Sequence, residues 1–187
     1  MTAAQALGAG VGRMELTRLA ANGHLERVAR GIYRASGAPS VHDEAVWVAW
    51  RSLDPSAPAW SRDLCSCAAS HNTAAWLLGL GELNPEPLTF TSPIRRQVSR
   101  EGLRIVHGPL LVGNVRLVEG LPGTTAARTV CDLARDGEDL SLVALVLEDA
   151  LSEGAVRDAR ALKARVDELC AGRDVPKGTS LYGMPRG

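Results

Sequence analysis

The sequence predicts an α+β protein: a small winged helix-turn-helix followed by a mixed α/β domain with a short sheet and several helices. Three observations predict it. Two short helical stretches parted by glycines lead into a tight basic hairpin within the first 36 residues. Strand-like runs at 88–91, 103–107 and 114–118 are set apart by Pro and Gly. Three helical stretches then close the domain, at 125–135, 140–151 and 155–170.

The elements follow from local chemistry. Thr2 to Leu7 is Ala-rich and helical until Gly8, Gly10 and Gly12 break it. Arg13 to Asn22 resumes the helical period, with Leu16, Leu19 and Ala20 on one face and Gly23 placed to end the helix in a left-handed turn. Glu26–Val28 and Ile32–Arg34 read as strands around a Gly31-containing turn. After a Ser/Gly/Pro linker at 35–39, Ser40 and Asp43 have the spacing of a capping box for a helix that stops at Asp54-Pro55. Ser70 to Leu78 is a further helix, with Ser70 as N-cap and Gly79 as terminator. Thr125 is placed to cap the next helix. The expected domains are 1–36 and 40–171, with a disordered tail over 172–187 where no apolar period survives.

Composition excludes several classes. The 187 residues are 45% hydrophobic and 22% charged, an ordinary globular balance. No apolar run approaches the ~20 residues of a membrane helix, so no membrane partner is expected. Residues 1–7 lack the basic and apolar regions of a secretory signal, which points to the cytoplasm. Cys65-Ser66-Cys67 is too tight for a zinc ligand loop, and neither metal nor cofactor is expected. His24, His42, His71 and His107 are scattered. Ser70 and His71 are neighbours, and neighbours on a helix do not face each other. No nucleophile elbow, phosphate loop or dinucleotide fingerprint is present, and the chain is not expected to be an enzyme.

Net charge is zero, but residues 1–34 carry five arginines against two glutamates. On the second helix Arg13, Thr17, Arg18 and Ala21 face away from the apolar side. This is the composition a recognition helix needs, arginine for guanine edges and phosphate, threonine for hydrogen bonds or a thymine methyl. Arg27, Arg30 and Arg34 of the hairpin could follow the phosphate backbone. Arg95, Arg96, Arg100 and Arg104 surround the loop 93–102 and form a candidate second nucleic-acid contact, for which a solvated loop is the default reading. Arg128 and Asp132 have the spacing of an i, i+4 ion pair, for which a structural role is the default.

Three stretches together resemble the AbiEi antitoxins of type IV toxin–antitoxin systems. They are Gly10 to Arg13 through Arg30-Gly31-Ile32-Tyr33, Ser70-His71 through Gly79-Leu80, and Leu121-Pro122 through Arg128-Thr129 and Asp132-Leu133-Ala134. The resemblance implies a winged-helix DNA-binding domain and an antitoxin domain in a bacterial transcriptional autorepressor. Its DNA partner would be its own promoter, at inverted repeats. Its functional partner would be a nucleotidyltransferase-like toxin, with no stable complex required. Arg128 and Asp132 enter as motif members without an assigned role. The family places a further helix before the one starting at Thr2, so either the true start lies upstream or the wing is supported by the second domain. Related chains also continue into a restriction-endonuclease-like domain. The alternatives are therefore a plain winged-helix regulator, or the regulatory remnant of a longer nuclease.

Overall fold

The computed structural model describes residues 1–40, 43–98 and 100–171, so the tail at 172–187 and His42 lie outside the described residues. The chain is a mixed α+β protein that divides into two compact units, Met1–Asp63 and Leu64–Gly187.

The first unit runs helix, helix, hairpin, helix: α1 (Ala3–Gly8), α2 (Arg13–Ala21), β1 (Leu25–Ala29), β2 (Ile32–Ala35) and α3 (Glu44–Leu53). A capping box starts α1. Thr2 Oγ1 accepts from the Gln5 amide at 3.1 Å, and Gln5 Oε1 accepts from the Thr2 amide at 3.0 Å. Residues 1–3 also run beside β2: Ala3 N donates to Gly31 O at 2.8 Å and Tyr33 N to Met1 O at 2.9 Å.

The capping box expected at Ser40 does not form, since α3 begins at Glu44 with Asp43 as N-cap and no side-chain cap bond. The linker at 35–39 is likewise not the division between units, which falls after Asp63. The reason is packing. Thirty-odd residues bury too little apolar surface to be stable alone, and the segment from α3 to Arg62 belongs with them. Thr2 Oγ1 donates to Pro55 O, Gln5 Nε2 donates to Ala57 O at 2.9 Å, and Val46, Ala49 and Trp50 are buried. Arg62 completes this core. Its guanidinium lies 4.2 Å from the Trp50 ring centre and donates to Trp50 O at 3.0 Å and Arg51 O at 3.2 Å, satisfying carbonyls at the end of α3.

The second unit holds a five-stranded sheet in the order β5–β4–β3–β7–β6, where β3 is Ala68–Ala69, β4 Leu88–Ser92, β5 Leu103–His107, β6 Val115–Val118 and β7 Leu121–Thr124. Its helices are α4 (His71–Leu77), α5 (Ala126–Asp136), α6 (Leu140–Ser152) and α7 (Ala159–Cys170). The central β3 has two residues. It pairs antiparallel with β4 and parallel with β7. Leu80, Val130, Leu133, Val143, Val146, Leu147 and Val166 form the helical core beside it.

Helix ends follow the cap chemistry. Asp139 accepts from Ser141 N and Asp158 from Ala161 N, both at 2.8 Å, so α7 starts at Ala159 and not at 155. Thr125 occupies the N-cap position of α5 but makes no side-chain cap bond. The hydroxyl of its neighbour Thr124 lies 2.7 Å from that of Thr129, a side-chain contact that ties β7 to α5 without capping the helix.

Gly81 links α4 to α6. Its amide donates to Asp149 Oδ2 at 2.8 Å, its φ is +66°, and a Cβ there would lie 2.6 Å from Val146 Cγ2. Gly81→Ala is therefore expected to cost roughly 2–4 kcal/mol, combining left-handed strain with overpacking. Gly102→Ala, at φ +72° with nothing within 4 Å, should cost about 1 kcal/mol. Urea denaturation of both variants checks the difference.

Candidate nucleic-acid interface

On α2, Leu16 is buried and Leu19 and Ala20 are half-buried, which turns Arg13, Thr17, Arg18 and Ala21 outward as the period requires. Sequence reasoning missed one member of this face. Met14 is 86% exposed, one position into the helix, where a flexible apolar side chain suits a thymine methyl. Its position one turn before Thr17 and Arg18 was the available signal. Thr17 Oγ1 donates to Arg13 O at 3.0 Å, and Arg18 holds Glu15 at 2.6 Å. That hydrogen bond keeps the Glu15 carboxyl below its ordinary range. Both partners are solvent-facing, so the pair can open when a phosphate or base edge competes.

The hairpin sorts its three arginines. Arg30 stands exposed at the turn beside Gly31, whose φ is +75°, and Arg27 is exposed on β1. Arg34 is committed elsewhere: it contacts Glu26 at 2.7 Å and Glu44 of α3, with its side chain 22% exposed. Register explains this. A bulge between Arg27 and Ala29 sets Glu26 opposite Arg34. Continuing the Ala29–Ile32 register without the bulge would set Arg27 opposite Arg34, two like charges face to face. Arg34 thus ties the hairpin to α3, and only Arg27 and Arg30 remain as outward hairpin cations.

In the second unit the loop between β4 and β5 leaves Arg95 and Arg100 exposed and Arg96 half-buried. Arg104 does not join them. It forms a two-pronged pair with Asp136 of α5, at 2.5 and 2.6 Å, which holds that carboxyl below its usual range. The expected group of four is thereby divided.

Arg128 and Asp132 do pair. Arg128 Nε lies 2.8 Å from both Asp132 oxygens, Arg135 Nη1 adds a contact at 2.9 Å, and Arg128 Nη1 donates to Pro109 O at 3.0 Å. Ser70 and His71 depart from expectation. His71 has φ +54°, and this left-handed step brings its Nδ1 to 3.0 Å from Ser70 Oγ. Thr91 Oγ1 donates to Ser70 Oγ at 2.8 Å. The two motif stretches therefore meet where α4 packs on α5.

Residues 2–36 match the family model described as transcriptional regulator, AbiEi antitoxin. No curated protein matches the chain. Among solved structures, the RV2827C protein from Mycobacterium tuberculosis is similar in fold, with a TM-score of 0.50 at 16% identity over 89% of this chain. The chain spans 63% of that protein's length.

Two outcomes are expected. Arg34→Gln should lower the thermal midpoint, because it strands two carboxylates at the junction of the hairpin and α3, whereas Arg30→Gln should leave it unchanged; calorimetry separates them. Burial holds the His71 imidazole below its ordinary pKa, outweighing the opposite pull of Asp132 and Asp136. The unfolded chain then takes up that proton first. The contribution of His71 to stability is complete above the unfolded value of about 6.5 and declines as pH falls below it. His71→Asn, which tolerates the left-handed backbone, should flatten that decline in denaturation midpoints measured from pH 7.5 to 5.

Proposed function

We propose, from the match of residues 2–36 to the AbiEi antitoxin transcriptional regulators, that this chain is a bacterial antitoxin that represses its own operon. The carrying observation is the outward face of α2, where Arg13, Met14, Thr17, Arg18 and Ala21 are all exposed beside a hairpin that presents Arg27 and Arg30. In this reading α2 enters the major groove. Arg13, Arg18 and Thr17 reach base edges and phosphates, Met14 meets a thymine methyl, and Arg27 and Arg30 follow the backbone. Arg34 serves from behind, by holding the hairpin on α3.

The operator would be an inverted repeat in the chain's own promoter, occupied by two protomers in the cytoplasm. The second unit would counter a nucleotidyltransferase-like toxin encoded beside it, without a lasting complex between the two. In this reading the chain acts as a binding protein and not as an enzyme.

Fluorescence anisotropy on the upstream DNA, against a scrambled competitor and across a salt series, tests the repressor half. Arg18→Ala and Arg30→Ala are each expected to weaken binding, and loss of a phosphate contact should lower the salt slope by about one. Met14→Ala should weaken the operator more than the scrambled sequence. Unchanged affinity in both arginine variants would remove the docking geometry. Rescue of growth on co-expression with the neighbouring toxin gene tests the antitoxin half.

A further inference from the structure

A cleft of about 1040 Å³ opens in the second unit between α5, the start of α7 and the ends of β5 and β6. We propose that it binds a small phosphate-bearing molecule, of the size of a nucleotide or sugar phosphate. This site is separate from the DNA-reading face of the first unit and does not rest on that reading.

The argument starts from charge. Two carboxylates of α5 border the cleft, and both are already satisfied: Asp132 by Arg128 and Arg135, and Asp136 by Arg104. A third, Asp158, is engaged as the N-cap of α7. Two further arginines are not committed in this way. Arg116 on β6 and Arg157 ahead of α7 line the cleft with His107 of β5, and none of the three side chains has an ion pair or hydrogen bond among the described residues. Unpaired cations brought to one concavity from separate elements focus a positive field, and guanidinium groups match phosphate oxygens in pairs.

The floor supplies an imidazole with one ring nitrogen unpartnered among the described residues. His71 is 6% exposed and lines the cleft. Thr91 donates to Ser70 Oγ, and His71 Nδ1 lies 3.0 Å from that same oxygen. This occupies one ring nitrogen and leaves Nε2 without a partner among the described residues. Carrying hydrogen there, the ring can donate to an acceptor held in the cleft. Phosphate oxygens supply one.

Size and lining choose among anions. The volume lies at the upper end of small-molecule sites, so a single inorganic phosphate would fill part of it. Val112, Val115, Val156 and Leu162 offer an apolar wall for the rest of the ligand. No Phe, Tyr or Trp among the described residues lines the cleft, which argues against a single-stranded nucleic acid, whose bases are bound chiefly by stacking.

The test is isothermal titration calorimetry of the full chain at low salt with ATP, ribose 5-phosphate, inorganic phosphate and adenosine. Saturable binding of the phosphorylated probes and none of adenosine is expected. ATP above ribose 5-phosphate would identify a nucleotide, and the reverse a sugar phosphate. Arg116→Glu and Arg157→Glu should each weaken binding about tenfold or more, the worth of one lost charge-assisted contact. Arg160→Glu, the same charge change on an exposed position of α7 outside the cleft, should not. Silence of every phosphorylated probe at millimolar concentration would overturn the proposal. So would adenosine binding as well as ATP, equal losses in all three variants, no loss in Arg116→Glu and Arg157→Glu, or a short single-stranded RNA binding more tightly than any small probe. Those two variants alter exposed residues, so a fold defect would show in their circular dichroism and be separable from lost binding.

Discussion

Asp132 sits on the cleft side of α5 with 3% of its side chain exposed, and an ionised carboxylate cannot stay there unpaired without a cost of several kcal/mol. The second unit is organised around meeting that requirement. Arg128 approaches from one turn earlier and also reaches the carbonyl of Pro109, while Arg135 approaches from the following turn. One buried charge thereby fixes the helix, two long side chains and the segment that follows β5. Truncating either arginine would remove more than an exposed ion pair, because part of the desolvation of Asp132 would go unanswered.

The first unit meets a different constraint, scarcity of apolar surface. Two helices of six and nine residues and a short hairpin bury little of their own. The solution is polar as much as apolar: the capping box at Thr2, the start of the chain running beside β2, Arg34 bridging two glutamates, and Arg62 folded over Trp50. Helix α2 packs on α1 and β1 with Leu16 buried, and its outer face stays exposed. A rigid helix presented this way is what groove recognition requires.

Helix α2 and the hairpin were legible because each is specified over a few residues. Leu16, Leu19 and Ala20 repeat at helical spacing, and Gly23 and Gly31 both adopt the positive φ expected of turn glycines. The sheet was legible only in part. Strand β7 contains Pro122 and Gly123, which read as breakers, and β3 is two alanines with no alternation to detect. The tight contact of Ser70 with His71 escaped for the same kind of reason, since it depends on a left-handed φ at a non-glycine residue that no local pattern announces.

The sequence by itself determined the order of the helices and of strands β1, β2, β4, β5 and β6, the face of α2 that carries Arg13, Thr17 and Arg18, and the pairing of Arg128 with Asp132. All are interactions between residues within a turn or two of each other. Only the tertiary structure decided which arginines remain available. Glu44 and Glu26 claim Arg34, and Asp136 claims Arg104 from 32 residues away. It also decided that α3 belongs with the winged segment, and that His71 and α5 share one cleft with Arg116 and Arg157. The reason is that hydrophobic period fixes which way a side chain leaves its own helix or strand. What waits there is set by a long-range register, and here that register turns on a bulge in the hairpin and a two-residue strand at the centre of the sheet.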